Sequence, residues 1–422
     1  MTSDGSPAAL SRRTRWVVAS AAFAGLVFDG FELGLMPIAS LSVSKSLFGD
    51  SYTAALGGVW FARFTASLML GAACGGILLG NLGDRLGRTR AMGVSILFYS
   101  IFAGLGAFVQ THEQMLVLRF FVGLGIGGVW PNGIALVSEC WPNASRPFIS
   151  GLMGTGIGFG VLLLSQVARV WPVVAESWRW LFQWSGAPAL LGVAVLLAVP
   201  ESPRWLAHRS ASRAGAEKPA TPLAELFRAP LLRLTLVGIA LGSVPLVGAW
   251  AAGKWMMPWA DKVGGAADPG YKAVVQGWWA VGSVVGSFFG AQIAHWLGRR
   301  RAYFLISLGA TLSTLGMFTL TAPLQPGFLP TVCAQGFVAT LFFGWLPLYL
   351  PELFPTHVRA TGSGIAYNSG RFATAVGVFF AGTLFTALGA DYARVGAATS
   401  VIYAVGMIAI FWAPSRTEGE LK

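Results

Sequence analysis

Six charged residues lie inside long apolar stretches of this chain. Asp29 and Glu32 sit in VFDGFELGL (27–35), Arg63 in WFARF, Arg119 in LRFFVG, Lys254 in AAGKWMM and Arg371 in YNSGRFA. A charge at the centre of a membrane-crossing helix costs about 2.5–3.5 kcal/mol, so such groups face a polar cavity and a partner. Asp29 and Glu32 are three residues apart, on one helix face. A carboxyl beside a guanidinium keeps its charge, whereas one parted from it in an apolar surround takes up a proton. At 1.5 Å per residue from Arg15, Asp29 lies about 20 Å in, and Arg119 is about five residues below the end of its run. An acid–Arg119 contact fits those depths, with Asp29 ahead of Glu32 as the group that carries the proton. A permanent structural salt bridge is the alternative.

Arg371 lies about ten residues into its run, near mid-depth, and follows Tyr367 and Asn368 with no acid in its own helix. Its fork binds a carboxylate through two parallel bonds, which makes it an anion site. Pairing with an acid of the first run is the competing reading. Lys254 is close enough to the end of its run to snorkel, and Arg63 likewise. Four cations against two acids leave the runs at +2, which favours an anionic ligand. Trp255, Asn132 and Gln276 complete the candidate binding set of Arg371, Asn368, Tyr367 and Lys254. Trp130, Trp250, Trp255, Trp278 and Trp279 suit stacking on a planar acid and equally suit packing or interface anchoring.

The elements that carry these residues follow from composition. Of 422 residues 55% are hydrophobic and 11% charged, against about 25% charged in soluble domains. So little charge cannot coat a globule in water, and most of the surface must face lipid. Runs of about 20 apolar residues mark spanning helices. Twelve appear, at 16–41, 57–82, 91–110, 115–138, 149–170, 181–199, 233–258, 273–296, 302–322, 328–350, 361–388 and 394–412. They are continuous rather than alternating, which excludes barrel strands. Lys and Arg number 19 at the termini and even-numbered connections and six at the odd ones. This bias puts both termini in the cytoplasm of a protein of the plasma (inner) membrane. It also accounts for the net charge of +12 without a nucleic-acid partner. Cys74, Cys140 and Cys333 form no metal spacing, and no histidine lies deep in a run. Gly123, Gly125 and Gly128 satisfy G-x-G-x-x-G, but within an apolar helix and without a preceding strand they form no dinucleotide site.

The two halves repeat each other. DRLGR (84–88) after the second run matches HWLGR (295–299) after the eighth, 211 residues on. ECWPNASR (139–146) matches ELFPTHVR (352–359), 213 residues on. This divides the chain into an N-terminal six-helix bundle (1–199), a cytoplasmic linker (200–232) and a C-terminal six-helix bundle (233–422). Internal repeats in a twelve-span protein point to a transporter with its site between the repeats. In span 2, Gly71, Gly75, Gly76 and Gly80 form two G-x-x-x-G steps suited to close helix packing. Asp84, Arg85 and Arg88, with the pairs Glu139–Arg146 and Glu352–Arg359, are read as a latch at the helix ends that closes one side and releases it on the other.

GNLGDRLGR (80–88) resembles the loop 2–3 signature of the major facilitator superfamily, RFFVGLGIGG (119–128) its span-4 motif and PESPRWL (200–206) its post-span-6 motif. DGFE in span 1 with YNSGR in span 11 is similar to the proton-coupled organic-acid symporters (aromatic acid, sialic acid, lactate) and the organic-anion carriers. The resemblance implies the major facilitator fold: an all-α membrane protein of twelve transmembrane helices in two pseudo-symmetric six-helix bundles. It also implies a span-1 acid paired with Arg119, as in proton-coupled sugar porters, and Arg371 as the anion binder, as in organic-anion carriers.

The expected activity is proton-coupled symport of a small organic anion, a monocarboxylate, by alternating access. The proton is the coupling ion, there is no other cofactor, and the protein is a monomer in the lipid bilayer. A proton-coupled sugar or other neutral-solute transporter is the alternative, weakened because span 7 holds no Gln or Asn. A non-transporting sensor with a transporter fold is a third reading, and it would call for a large signalling domain that these short tails do not provide. No in-membrane constellation resembles an enzyme's nucleophile–base pair.

Overall fold

The computed structural model describes residues 10–141, 146–213, 223–355 and 358–414, all helix and connections without a strand among them. Twelve helices are long and apolar enough to cross a membrane: α1 (Arg12–Ser51), α2 (Ala54–Leu86), α3 (Arg88–Phe108), α4 (His112–Cys140), α5 (Gly151–Val170), α6 (Arg179–Ala198), α7 (Leu231–Gly264), α8 (Tyr271–Leu297), α9 (Arg299–Thr319), α10 (Phe328–Leu353), α11 (Thr361–Ala387) and α12 (Tyr392–Trp412). An even number of crossings returns the chain to the side where it began, here the near side; the opposite face is the far side.

Several helices outrun the apolar stretches because their ends are capped. Ser11 accepts from the Thr14 amide, Thr53 from Leu56, and Thr111 forms a reciprocal capping box with Gln114. At the near side α2 and α8 both stop at a glycine with positive φ, Gly87 (113°) and Gly298 (81°), 211 residues apart. Only glycine adopts that conformation at little cost, and it turns each chain directly into the next helix.

The repeat seen in the sequence is a repeat of packing. In α2, a Cβ on Gly71 or Gly75 would land on the backbone oxygens of Phe120 and Leu124 in α4. In α8, a Cβ on Gly282 or Gly286 would land on those of Cys333 and Phe337 in α10. The α2 and α8 positions differ by 211 and the α4 and α10 positions by 213, the same offsets as the loop motifs. Lipid supplies no hydrophobic drive between helices, so close backbone approach through small residues holds each pair together. Gly123, one of the three glycines of the G-x-G-x-x-G spacing, belongs to the same seam and faces the Leu68 oxygen.

The first six helices meet the last six along two antiparallel contacts. Gly58 and Gly76 of α2 face Phe385 and Asn368 of α11, and Gly151 and Gly158 of α5 face Phe288 and Val284 of α8. Outward faces carry apolar side chains such as Leu190, Leu197 and Phe380. A surface of that kind suits hydrocarbon, not water.

Candidate functional site

A central cavity takes its walls from α1, α2, α4 and α5 in the first half and from their counterparts α7, α8, α10 and α11 in the second. Three charged residues line it: Asp29, Lys254 and Arg371. Tyr367, Trp130, Trp250 and Trp279 stand around them, with the hydroxyls of Ser283, Ser287 and Thr340 on the second-half wall.

The two acids of α1 divide. Glu32, not Asp29, reaches Arg119: its Oε2 lies 3.3 Å from Nη2 and 3.4 Å from Nη1, and both side chains are 1% exposed. Three residues carry Glu32 about 4.5 Å beyond Asp29 along the helix, level with Arg119. The pair is incompletely made, because Glu32 Oε1 and Arg119 Nε have no hydrogen-bond partner. Asp29 is left facing the cavity, 1% exposed, with Oδ1 unpartnered and no ion pair among the described residues.

Arg371 spans the two halves. Its Nη1 donates to the carbonyls of Ala72 (3.0 Å) in α2 and Gly127 (3.4 Å) in α4, while its guanidinium lies over the Tyr367 ring at 5.1 Å. The α2 backbone can receive it there because Gly76 leaves room, while Gly127 lets α4 lie close against α2 at the same level.

Lys254 does not snorkel. α7 contains Pro245, then a π-helical turn over Gly248–Ala252 and a 3-10 turn over Gly253–Trp255. Proline removes one ladder hydrogen bond and the short glycine- and alanine-rich segment after it relaxes into wider and tighter turns. The break turns Lys254 inward, where it is 3% exposed. Its Nζ sits 3.5 Å from the centre of the Trp279 ring and 5.7 Å from that of Trp250. No carboxylate pairs with it among the described residues.

The other binding candidates lie outside this cavity. Asn132 donates to Leu79 and Gly128 oxygens (3.0 and 2.8 Å), tying α4 to α2. Asn368 donates to Gly364. Trp255 donates to Ala251 and stacks on Phe385, fully buried. Gln276 is buried beside Gly34 with both amide atoms unpartnered. Arg63 lies over Trp60 at 4.9 Å. The Ser283, Ser287 and Thr340 hydroxyls had no distinguishing signal beyond the one-turn spacing of the serines.

At the near side Arg88 bonds Asp84 (2.7 Å) and lies 3.5 Å from Glu139. The PESPRWL segment straps this corner. Glu201 accepts from the Thr89 amide, Ser202 bonds Glu139, and Trp205 donates to the Asp84 carbonyl. In the second half Arg299 grips Glu352 through two bonds of 3.0 and 3.1 Å. Arg88 and Arg299 are equivalent in the repeat, as are Glu139 and Glu352, so the arginine that opens α3 or α9 partners each acid. Arg359 donates to the Phe354 carbonyl and Arg85 is exposed. The side chain of Arg146, the expected partner of Glu139, lies outside the described residues. On the far side Arg169 and Asp268 join the halves at 2.5 Å, and Lys272 reaches Ser42 (3.1 Å) and Asp261 (3.2 Å).

The sequence profile of the Major Facilitator Superfamily matches residues 17–378. The chain belongs to the major facilitator superfamily. It is 31% identical to the probable 4-methylmuconolactone transporter of Cupriavidus pinatubonensis, over 97% of this chain and 91% of that one. It is 30% identical to the cis,cis-muconate transport protein of Acinetobacter baylyi, over 89% and 90%. Among solved structures, a D-xylose–proton symporter superposes with a TM-score of 0.73 at 17% identity, covering 94% of this chain and 98% of that one. These two relatives are named for transport of 4-methylmuconolactone and of cis,cis-muconate, and the solved neighbour shares the fold.

Proposed function

We propose that this protein is a secondary transporter that carries a small organic anion with protons by alternating access. The observation that carries the reading is the central cavity in which Asp29 faces two cations, Arg371 and Lys254, on walls drawn from both halves. A proton on Asp29 removes the one negative charge lining the cavity and leaves two positive ones for the anion. Glu32 is the second acid able to exchange a proton, since its bond to Arg119 uses one oxygen and leaves the other unpaired. Relatives named for muconolactone and muconate transport support an unsaturated or aromatic acid, as do the indoles around the cavity.

The excess of Lys and Arg on the near side supports termini in the cytoplasm of the inner membrane. The far-side contacts of Arg169 and Lys272 then close the cavity toward the outside. In the opposite state the halves rock apart there and come together at the near-side arginine–glutamate corners.

The test is uptake by purified protein in liposomes with an inside-alkaline pH gradient, using labelled benzoate, nicotinate, lactate, sialate and muconate. Gradient-driven accumulation of one or more, lost in Arg371→Ala and uncoupled from the gradient in Asp29→Asn, is the expected result. Accumulation of xylose or another neutral solute in place of every acid would overturn the anion reading and leave the transporter.

A further inference from the structure

As an anion site, the central cavity holds one cation more than a single carboxylate needs. Lys254 lies ten residues before the far-side end of α7 and Arg371 ten residues after the near-side start of α11, each about 15 Å in from its own side, and both line the cavity. They approach the cavity from different walls. The Arg371 guanidinium is held against α2 and α4 by the Ala72 and Gly127 carbonyls, while the Lys254 ammonium rests on Trp279 of α8. Asp29 ion-pairs with neither of them. Only Nη1 of Arg371 is committed to those carbonyls, so the rest of its fork can receive a carboxylate. The Lys254 ammonium is buried with indole faces in place of acceptor oxygens, although three donors call for them. An indole face holds a cation by its quadrupole, but more weakly than a carboxylate does in a dry site.

We propose that the transported anion is a dicarboxylate, one end on Arg371, the other on Lys254, and its body between the indoles of Trp130, Trp250 and Trp279. The assignment rests on the cavity being the site of an anion symporter. Charge supports it. With Asp29 protonated the cavity carries two positive charges, and a dianion neutralises both. With Asp29 ionised it carries one, so a dianion leaves the site negative. Binding of the second carboxylate and of the proton therefore favour each other, and this links substrate to proton without direct contact between them. The sequence alone points to a monocarboxylate, with Lys254 in the binding set yet able to snorkel; its inward position gives the second carboxylate a partner.

The experiment compares two acids on one carbon frame, cis,cis-muconate and its single-carboxylate twin, hexa-2,4-dienoate, in liposomes with an imposed pH gradient. The dicarboxylate is expected to be taken up with a half-saturation concentration about tenfold lower than its twin, the worth of one charged hydrogen-bonded contact. In Lys254→Met that preference should fall to within about twofold, and Lys254→Arg should keep it. A wild-type protein that takes the two acids equally, or prefers the monoacid, overturns the dicarboxylate assignment and leaves the anion symporter standing. No gradient-driven uptake of either acid, nor of benzoate, nicotinate, lactate or sialate, overturns the anion symporter and this proposal with it. The wild-type comparison decides the matter even if Lys254→Met fails to fold.

Discussion

At the scale of single residues, the division between Asp29 and Glu32 sets the chemistry. Their spacing announces two acids on one helix face, and the depth of Arg119 announces a partner. Which acid takes that partner depends on one helical turn of depth and one methylene of reach, and the sequence does not resolve either. Trp255 and Asn132 suit the cavity by type and position; their faces point elsewhere, and facing depends on neighbours that composition does not reveal. Lys254 is the reverse case, since the break in α7 that turns it inward is visible only as a proline followed by small residues. The Glu32–Arg119 pair makes a sharp prediction. Arg119→Met leaves a carboxylate buried without its cation, a loss of about 3–5 kcal/mol for such pairs. Thermal unfolding in detergent should show a strongly destabilised single variant, with much of the loss recovered in Arg119→Met combined with Glu32→Gln. Equal destabilisation of the single and double variants would mean that the pair is not what holds α1 to α4.

At the scale of elements, the glycine seams hold α2 against α4, and α8 against α10, by close backbone approach. The twelve helices are legible because lipid demands long uninterrupted apolar runs, and the duplication is legible from two loop motifs. That the same offsets reappear in the packing glycines adds a symmetric prediction. Gly75→Val and its counterpart Gly286→Val should each push a β-carbon into a backbone oxygen and destabilise the protein by about 1–3 kcal/mol or more. Gly80→Ala, whose added carbon would sit 3.8 Å from Pro131, should leave stability unchanged or raise it by up to about 1 kcal/mol, the helix preference of Ala over Gly. Monodispersity and thermal midpoint of the three purified variants check this. If Gly75→Val and Gly80→Ala behave alike, the seam is looser than described.

At the scale of the whole molecule, two contacts join the halves on the far side: the partly exposed bridge Arg169–Asp268, and the buried Lys272, paired with Asp261 in its own half, which reaches Ser42 of α1. Solvent reaches 47% of Arg169 and 42% of Asp268, so that bridge is worth at most about 1 kcal/mol. On the proposed alternating-access reading, breaking it is expected to bias the rocking equilibrium by severalfold without unfolding the protein. In a background with Cys74, Cys140 and Cys333 replaced by Ser, Ala72→Cys places a thiol in the cavity wall. Asp268→Asn should speed its labelling by an impermeant reagent applied from the far side by about two- to fivefold. Unchanged labelling would show that this bridge does not bias the far-side closure.

The two offsets, 211 before the ninth helix and 213 after it, also record where this chain can change length. Each residue added inside a helix rotates everything beyond it by about 100°. Two extra residues within α9 or α10 would have swung the Cys333 and Phe337 carbonyls round to the wrong side of their partner. They did not, because the difference in length falls at the turn spanning 320–327, the counterpart of 109–111 in the first half, outside both helices. The halves thus differ in the length of a connecting turn while the phase of both glycine seams is the same. An epitope or fluorophore tag belongs in that turn, where the two halves already differ in length without a change in the packing of either seam.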